Sequence, residues 1–300
     1  MTTPPAPPAP SSPSGPQLPD AATVAGLRAF AEQLAVSAGA LVREGRPRQV
    51  DVAATKSSPI DVVTAMDLAA EALLRGSIGE HRPDDGILGE EEGIAAGTSG
   101  TTWVIDPIDG TVNYLYGIPA YAVSVAAVVG PPDPALWTVV AGAVHAVADG
   151  RTWTAGLGAG ASLDGRAITA NAPAPFAQCL VGTGFGYTEA RRRGQARVVA
   201  DLLPRVRDIR RIGSAALDLC TLASGGLDLY YERGLQPWDL AAASLVAREA
   251  GATVTGLHGR APGEAMTVAG PEPVVRELVA FLEAMRADED LPAGEGPARP

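Results

Sequence analysis

Apolar positions recur at helical spacing near the start of the chain, run almost unbroken through its middle, and switch between the two habits afterwards. From Asp20 to about Arg43, Val24, Leu27, Leu34, Leu41 and Val42 lie along one side of a helix that the Asp20 side chain would cap. Thr64 opens a second helix, and Asp67, three places on, completes a variant capping box. Strands dominate from Trp103 to Ile168. The longest apolar runs there, Tyr121 to Val129 and Val139 to Val147, are strand-length and fall well short of the roughly 18 residues of a membrane span. Asp149-Gly150 and Asp164-Gly165 sit between apolar runs, where tight hairpin turns belong.

After Leu180 strand and helix alternate. LVGTGF and RDIRRI read as strands around a helix near Gln195 to Leu203, and Ala215 to Ser224 reads as the next helix. LDLYY is a strand, WDLAAASLVAREAG a helix, TVTG a strand, and Val274 to Met285 the closing helix. No repeat period emerges. The pattern predicts an α/β chain in two portions: helices on a largely antiparallel sheet up to about residue 175, and a more regular alternation after it. GLGAG, from Gly156 to Gly160, resembles a nucleotide-binding glycine loop, but it lies between hairpin signals and no helix follows, which argues against a dinucleotide site.

The chemistry concentrates where apolar runs end in acid. WVIDPIDGTVNY, from Trp103 to Tyr114, closes a strand with Asp106 and Asp109 and continues into Gly110 and Thr111. Mg²⁺ takes hard oxygen ligands and is commonly held by one or two carboxylates plus a substrate phosphate. Asp106 and Asp109 are carboxylates of that kind, a bend at Pro107 would aim the Ile108 carbonyl at the same ion, and the N–H groups of Gly110 and Thr111 would face a phosphate if a helix begins there. Taken alone, DPIDG is explained equally well by an acidic β-turn. ILGEEEG, from Ile87 to Gly93, and PWDLAAASLVAREAG, from Pro237, repeat the arrangement with Glu90 and Asp239.

Together these strings resemble the inositol monophosphatase family of Mg²⁺-dependent, Li⁺-sensitive phosphatases, from about Lys56 in KSSPIDVVTAMD to about Gly256. Within that family VGTGFGY, RDIRRIGSAALDLC and LDLYYERGLQPWD are similar to the bacterial inositol-1-monophosphatases. The resemblance implies a layered α-β-α-β-α sugar-phosphatase fold. It implies that Glu90, Asp106 and the Ile108 carbonyl bind a first metal ion, that Asp106, Asp109 and Asp239 bind a second, and that a third, weaker ion lies near Glu90. Thr111 and Asp67 resemble the pair that orients and deprotonates the attacking water, although Asp67 as a helix cap explains the same residue. Glu232 and the backbone N–H of Ala215 match contacts to polyol hydroxyls, which makes inositol 1-phosphate the expected substrate. Histidinol phosphate, fructose 1,6-bisphosphate, NADP and phosphoadenosine phosphate are alternatives for the same apparatus. Glu91 and Glu92 read as a solvated turn, and Trp238 as a packing residue.

Composition narrows the remaining classes. At 300 residues the chain can bury a large core, and its formal charge of −11 opposes general binding to nucleic acid or anionic membrane. Cys179 and Cys220 have neither metal-ligand spacing nor a disulfide framework, and His81, His145 and His258 are too scattered for a zinc site. Residues 1 to about 19 are rich in Pro, Ala and Ser without the basic and apolar regions of a signal peptide, so they read as a disordered tail, as do residues 287–300. With the family resemblance, which implies a homodimer, the expectation is a cytoplasmic homodimer with a catalytic domain over residues 20–286. One charge reversal stands out: eight arginines lie between Arg191 and Arg211 against Asp201 and Asp208. They read as a solvated helix face and strand edge, as cations reaching a pocket to hold a second anionic group, or as a surface for RNA or the transcription machinery.

Overall fold

The computed structural model describes residues 18–47, 50–55, 62–131, 133 and 135–290. Expectations for residues 1–17, for the Lys56 end of the first motif and for residues 291–300 lie outside them. In chain order the elements are α1 (Ala21–Glu44), β1 (Val52–Thr55), β2 (Val62–Thr64), α2 (Ala65–His81), β3 (Gly86–Gly89), β4 (Gly93–Ala95), β5 (Thr101–Asp109), α3 (Thr111–Tyr116), β6 (Ala122–Val129), β7 (Thr138–Ala146), β8 (Thr152–Gly156), β9 (Ala161–Leu163) and β10 (Arg166–Ala167). They continue as β11 (Leu180–Thr183), α4 (Glu189–Leu202), β12 (Asp208–Arg210), α5 (Ala215–Ala223), β13 (Leu229–Glu232), α6 (Pro237–Glu249), β14 (Thr253–Thr255), β15 (Thr267–Gly270) and α7 (Glu272–Ala284).

Strands β3 to β10 form an eight-stranded sheet in the order β10-β9-β8-β7-β6-β5-β3-β4, antiparallel except where β3 meets β5. A five-stranded mixed sheet follows, ordered β12-β11-β13-β15-β14. Three apolar clusters show how the layers stack. Leu27, Leu34, Val42, Leu74 and Ile78 of α1 and α2 pack on Trp103, Ile105 and Val125 from one face of the large sheet. Val104, Val144 and Trp153 from its other face pack with Leu219, Leu240 and Val246 of α5 and α6, which also meet Tyr230 and Ala269 of the small sheet. Val198 and Leu202 of α4 and Leu278 and Leu282 of α7 cover the opposite face of that small sheet through Leu229, Tyr231 and Val268. The five layers run α-β-α-β-α, as the resemblance implied. Among the described residues no helix is long and apolar enough to cross a membrane.

Local signals account for most element ends. Asp20 accepts the Thr23 N–H at 2.8 Å and starts α1, and Thr64 and Asp67 form the capping box of α2. Asp164 and Gly165, both at positive φ, make the two-residue turn between β9 and β10, whereas Asp149 and Gly150 belong to the longer 147–151 connection. The helix expected near Gln195 starts at Glu189 instead. Thr188 caps it by accepting the Arg191 N–H at 3.3 Å, and its first turns are the arginine run, which carries no apolar periodicity to read. The strand expected over RDIRRI narrows to β12. Residues 287–290, expected to belong to a tail, pack on the fold: Ala287 is buried against the α4/α7 cluster and Asp290 accepts a hydrogen bond from Arg233 at 2.7 Å.

The glycine loop does bind an anion, but one of the chain's own. The N–H groups of Gly158 and Gly160 each donate at 2.8 Å to the Glu249 carboxylate at the end of α6. A dinucleotide reading is thereby replaced by a tether between the large sheet and α6. The three histidines stay apart too, His145 being buried beside Thr152 at 2.9 Å. Cys179 and Cys220 are both buried and free.

Helix α6 lies directly on β7. A Cβ built on Gly142 would come within 2.9 Å of the Ala242 Cα and 3.1 Å of its Cβ, so only glycine permits this approach. Gly142→Ala must push α6 off the sheet, at a cost of about 1–3 kcal/mol for overpacking. A lowered melting temperature is the expected outcome, and an unchanged one would show that the helix is not held at this contact.

Candidate active site

Strand β5 ends in an irregularity that brings its acids together. By strict alternation Asp106 and Asp109 would point to opposite faces of the sheet. The register with β6 shifts between these two residues, Pro107 sits inside the shift where no ladder N–H is needed, and Ile108 turns back into the α1/α2 core. Asp106 therefore keeps the face shared with Val104, towards α6, and Asp109 joins it. One oxygen of Asp106, Oδ1, accepts the Ile108 N–H at 3.0 Å and locks the bend.

Gly110 then caps the short helix α3 at φ 99°, and a Cβ there would lie 2.9 Å from the Ala120 carbonyl oxygen and 3.1 Å from that of Gly213. Thr111 follows. Its hydroxyl donates to Asp67 Oδ1 at 3.1 Å and lies 3.0 Å from the Ile108 carbonyl oxygen. Asp67 is fully buried, and its Oδ2 accepts the Thr64 N–H at 2.8 Å and the Thr64 hydroxyl. Capping and contact with Thr111 thus use different oxygens of one carboxylate, so the two readings of Asp67 hold together.

Asp109 and Asp239 are fixed in the same way. Asp109 Oδ2 accepts from Ser214 Oγ at 2.5 Å and from the Ala216 N–H at 2.7 Å, at the start of α5. Asp239, in the first turn of α6, accepts the Gln236 N–H at 2.7 Å through Oδ2. Among the described residues, Asp106, Asp109 and Asp239 present carboxylate oxygens within 4.8 Å of one another, a donor set suited to a hard divalent cation. Glu90 lines the same cavity and shares a hydrogen-bonding contact with Asp106. Burial, and then the charges of Glu90, Asp109 and Asp239, push the Asp106 carboxyl well above its ordinary range. Burial, with Glu90 and Asp109, does the same to Asp239. Burial also raises Asp109, against the hydrogen bonds from Ser214 and the first amides of α5.

These acids floor a cavity of about 430 Å³ that Gly110, Thr111, Ala215, Glu232 and Trp238 also line. Glu232 follows Tyr230 on the inward face of β13 and accepts the Tyr230 hydroxyl at 2.7 Å, and burial pushes its carboxyl up to about 7. The N–H groups of Ala216 and Ala215 are turned towards Asp109, so a substrate hydroxyl at Ala215 would share that amide with a carboxylate of the chain. Trp238 has two roles, packing against the α5/α6 cluster and edging the cavity.

Several supporting residues escaped the sequence reading. Glu71, fully buried on α2, accepts the N–H groups of Glu91 at 2.8 Å and Glu92 at 2.9 Å and pairs with Arg75 at 2.8 Å, fixing the turn that carries Glu90. Its place one helical turn after Asp67 was the available signal. Asn113 donates to the carbonyls of Ala120 at 2.7 Å and Ile212 at 3.0 Å, tying α3 to the segment before α5. The arginine segment divides. Arg193, Arg197, Arg207 and Arg210 are satisfied by nearby carboxylates or carbonyls, while Arg191 and Arg211 line the cavity.

A model described as the inositol monophosphatase family matches residues 24–284. The inositol-1-monophosphatase SuhB of Mycobacterium tuberculosis is 45% identical over 287 residues, covering 89% of this chain and 97% of that protein. Human inositol monophosphatase 1 is 33% identical over 278 residues, covering 87% of this chain and 96% of its own length. The solved structure of Mycobacterium tuberculosis SuhB aligns with a TM-score of 0.73 at 43% identity over 88% of this chain and 98% of that one. Matched from its first helix to its last and folded in the same layers, the chain belongs to the inositol monophosphatase family and is a phosphoric monoester hydrolase.

Proposed function

We propose that this protein hydrolyses inositol 1-phosphate to inositol and phosphate with Mg²⁺ bound by the acidic floor. The observation that carries the reading is the convergence of Asp106, Asp109 and Asp239 in one cavity, beside Glu90 and the Thr111–Asp67 pair. In this assignment Glu90, Asp106 and the Ile108 carbonyl hold one ion, Asp106, Asp109 and Asp239 hold a second, and a third binds weakly near Glu90. Bound there, the ions would lower the pKa of water and stabilise the leaving oxygen.

The remaining work belongs to the side chains. Because Thr111 gives its hydroxyl proton to Asp67, its oxygen is left to accept from a water on the cavity side. A proton leaving that water passes through Thr111 Oγ1 to Asp67 Oδ1, and Asp67 needs no movement because its other oxygen is anchored. The N–H groups of Gly110 and Thr111 face the phosphate. Glu232 and Ala215 orient the polyol, leaving its ester oxygen towards the floor. Lithium sensitivity, a homodimer and a cytoplasmic location belong to the same proposal.

Asp106→Asn removes the carboxylate assigned to both ions, so phosphatase activity should be nearly abolished at any Mg²⁺ concentration. The folded protein should survive, since one source of repulsion has gone with the ligand. In chelator the sign is definite. An acid whose folded pKa is raised binds more protons folded than unfolded, so metal-free stability should fall as pH rises from about the ordinary value of 3.8 through the raised one. Asp106→Asn should flatten that fall in thermal melts, and near-wild-type turnover in this variant would remove the two-ion assignment.

Li⁺ should inhibit at high Mg²⁺ by entering the second site after turnover. Insensitivity would point to a divergent branch of the family.

Glu232→Gln tests the substrate. Loss of a buried charged hydrogen bond costs about 1–3 kcal/mol, so kcat/KM for inositol 1-phosphate should drop roughly five- to 150-fold while 4-nitrophenyl phosphate, with no polyol, barely changes. An equal drop for both would make Glu232 a support of the site and not a polyol contact.

A further inference from the structure

We propose that a second cavity, between β7, α6 and the 256–263 loop, is a binding site for a small organic monoanion, with an aromatic or aliphatic body against Trp137 and Leu240 and its charge on Arg248. This site is separate from the phosphatase chemistry and does not rest on it. The cavity holds about 340 Å³, and Leu157, Leu245 and Pro262 extend its apolar lining. Small-molecule sites are commonly of this size and character. Neighbouring residues of α6 serve the two cavities: Trp238 and Asp239 line the catalytic one, Leu240 and Ser244 this one. The walls are braced without an occupant. Glu249 ties the loop that carries Leu157 to α6 through the N–H groups of Gly158 and Gly160, and Leu157 donates its own N–H to the Val140 carbonyl at 2.9 Å. In the 256–263 loop the Gly256 N–H donates to the Arg260 carbonyl and the Arg260 N–H to that of Leu257, both at 3.0 Å. The chain folds back so tightly there that a Cβ on Gly256 would lie 2.5 Å from the Ala261 carbonyl oxygen. A pocket whose walls are already fixed costs a ligand little ordering.

The charged groups of the lining decide the ligand class. Arg248, in the last turn of α6, is exposed, which puts its guanidinium at the rim. Among the described residues it pairs with no carboxylate, and of its five N–H donors only one on Nη2 has a partner, the Val254 carbonyl at 3.1 Å. The acid beside it, Glu249, already has both oxygens engaged by the glycine N–H groups, so the guanidinium is the group with free capacity. Its planar fork matches the two oxygens of a carboxylate or sulfonate. One negative charge suits the site better than two, because the Glu249 charge opposes a second and the apolar walls give a dianion nothing in return for its lost hydration. The apolar lining in turn asks for a body that a bare inorganic anion lacks.

The test titrates the full chain with indole-3-acetate, its neutral amide indole-3-acetamide and the cation tryptamine, followed by ligand-observed NMR. Melting temperature and turnover of 4-nitrophenyl phosphate are the folding controls. Wild type should bind one indole-3-acetate per chain with a Kd below about 1 mM, within reach of a ligand of that size. The amide should bind roughly tenfold more weakly, for want of the charge-assisted hydrogen bonds. Arg248→Gln should bring the acid down to the level of the amide and leave the amide where it was, with turnover unchanged. Thr138→Trp, which fills the cavity, should abolish binding of both. If that variant fails to fold, Trp137→Ala, which removes an apolar wall, should weaken both. The proposal is overturned if wild type binds none of the three, or if acid and amide bind equally. Tighter binding of tryptamine than of the acid would hand the site to Glu249 and overturn it as well. So would an affinity that falls in Arg211→Gln and not in Arg248→Gln, since the probe would then sit in the catalytic cavity.

Discussion

The three clustered aspartates of the cavity floor, and the one behind them, each give one oxygen to a backbone N–H of their own chain. Asp67 takes that of Thr64, Asp106 that of Ile108, Asp109 that of Ala216 and Asp239 that of Gln236. Like charges crowded in a low-dielectric site repel one another, and without such anchors they would rotate apart. Backbone donors are well suited to the task, because they cannot turn away without unfolding the element they belong to. The donors lie at a strand bulge or a helix start, so the site depends on four element boundaries falling within a residue of where they do.

The layered fold supplies those boundaries. The end of β5, the start of α5 and the start of α6 converge because α5 and α6 fill the layer between the two sheets, and Gly142 lets α6 settle against β7. Helix α2 joins from the far side of the large sheet, reaching the cavity through Asp67 on Thr111 and through Glu71 on the turn that carries Glu90. Elements from both sides of one sheet thus meet at the bulged end of β5. The bulge gives up a regular ladder there and in return places two acids on one face.

What was legible in the sequence was what local chemistry determines. WVIDPIDGTVNY carries its own bend, cap and acids within a dozen positions, so the geometry of Asp106, Asp109 and Thr111 follows from the string, and Thr64 with Asp67 is a cap in any context. Glu71, Ser214 and Asn113 were not legible, because each acts on a segment distant along the chain and looks like an ordinary helix or turn residue. The glycine loop was rightly read as no dinucleotide site, but its partner was not legible: its donors do seek an anion, and only the tertiary structure shows that Glu249 is the one supplied. The arginine run concealed two populations, since α4 turns most of its members outward and Arg191 inward.

Asp290 bears on how this protein is best handled. It lies beyond the last residue of α7, where a tidy domain boundary would be drawn, yet its carboxylate spans two arginines of the cavity wall. A shortened version ending at Ala284 would keep every helix and strand and still lose that brace, leaving two guanidinium groups to rearrange beside the place where substrate enters. Truncated and full-length protein could then differ in substrate preference while their circular dichroism spectra superimpose.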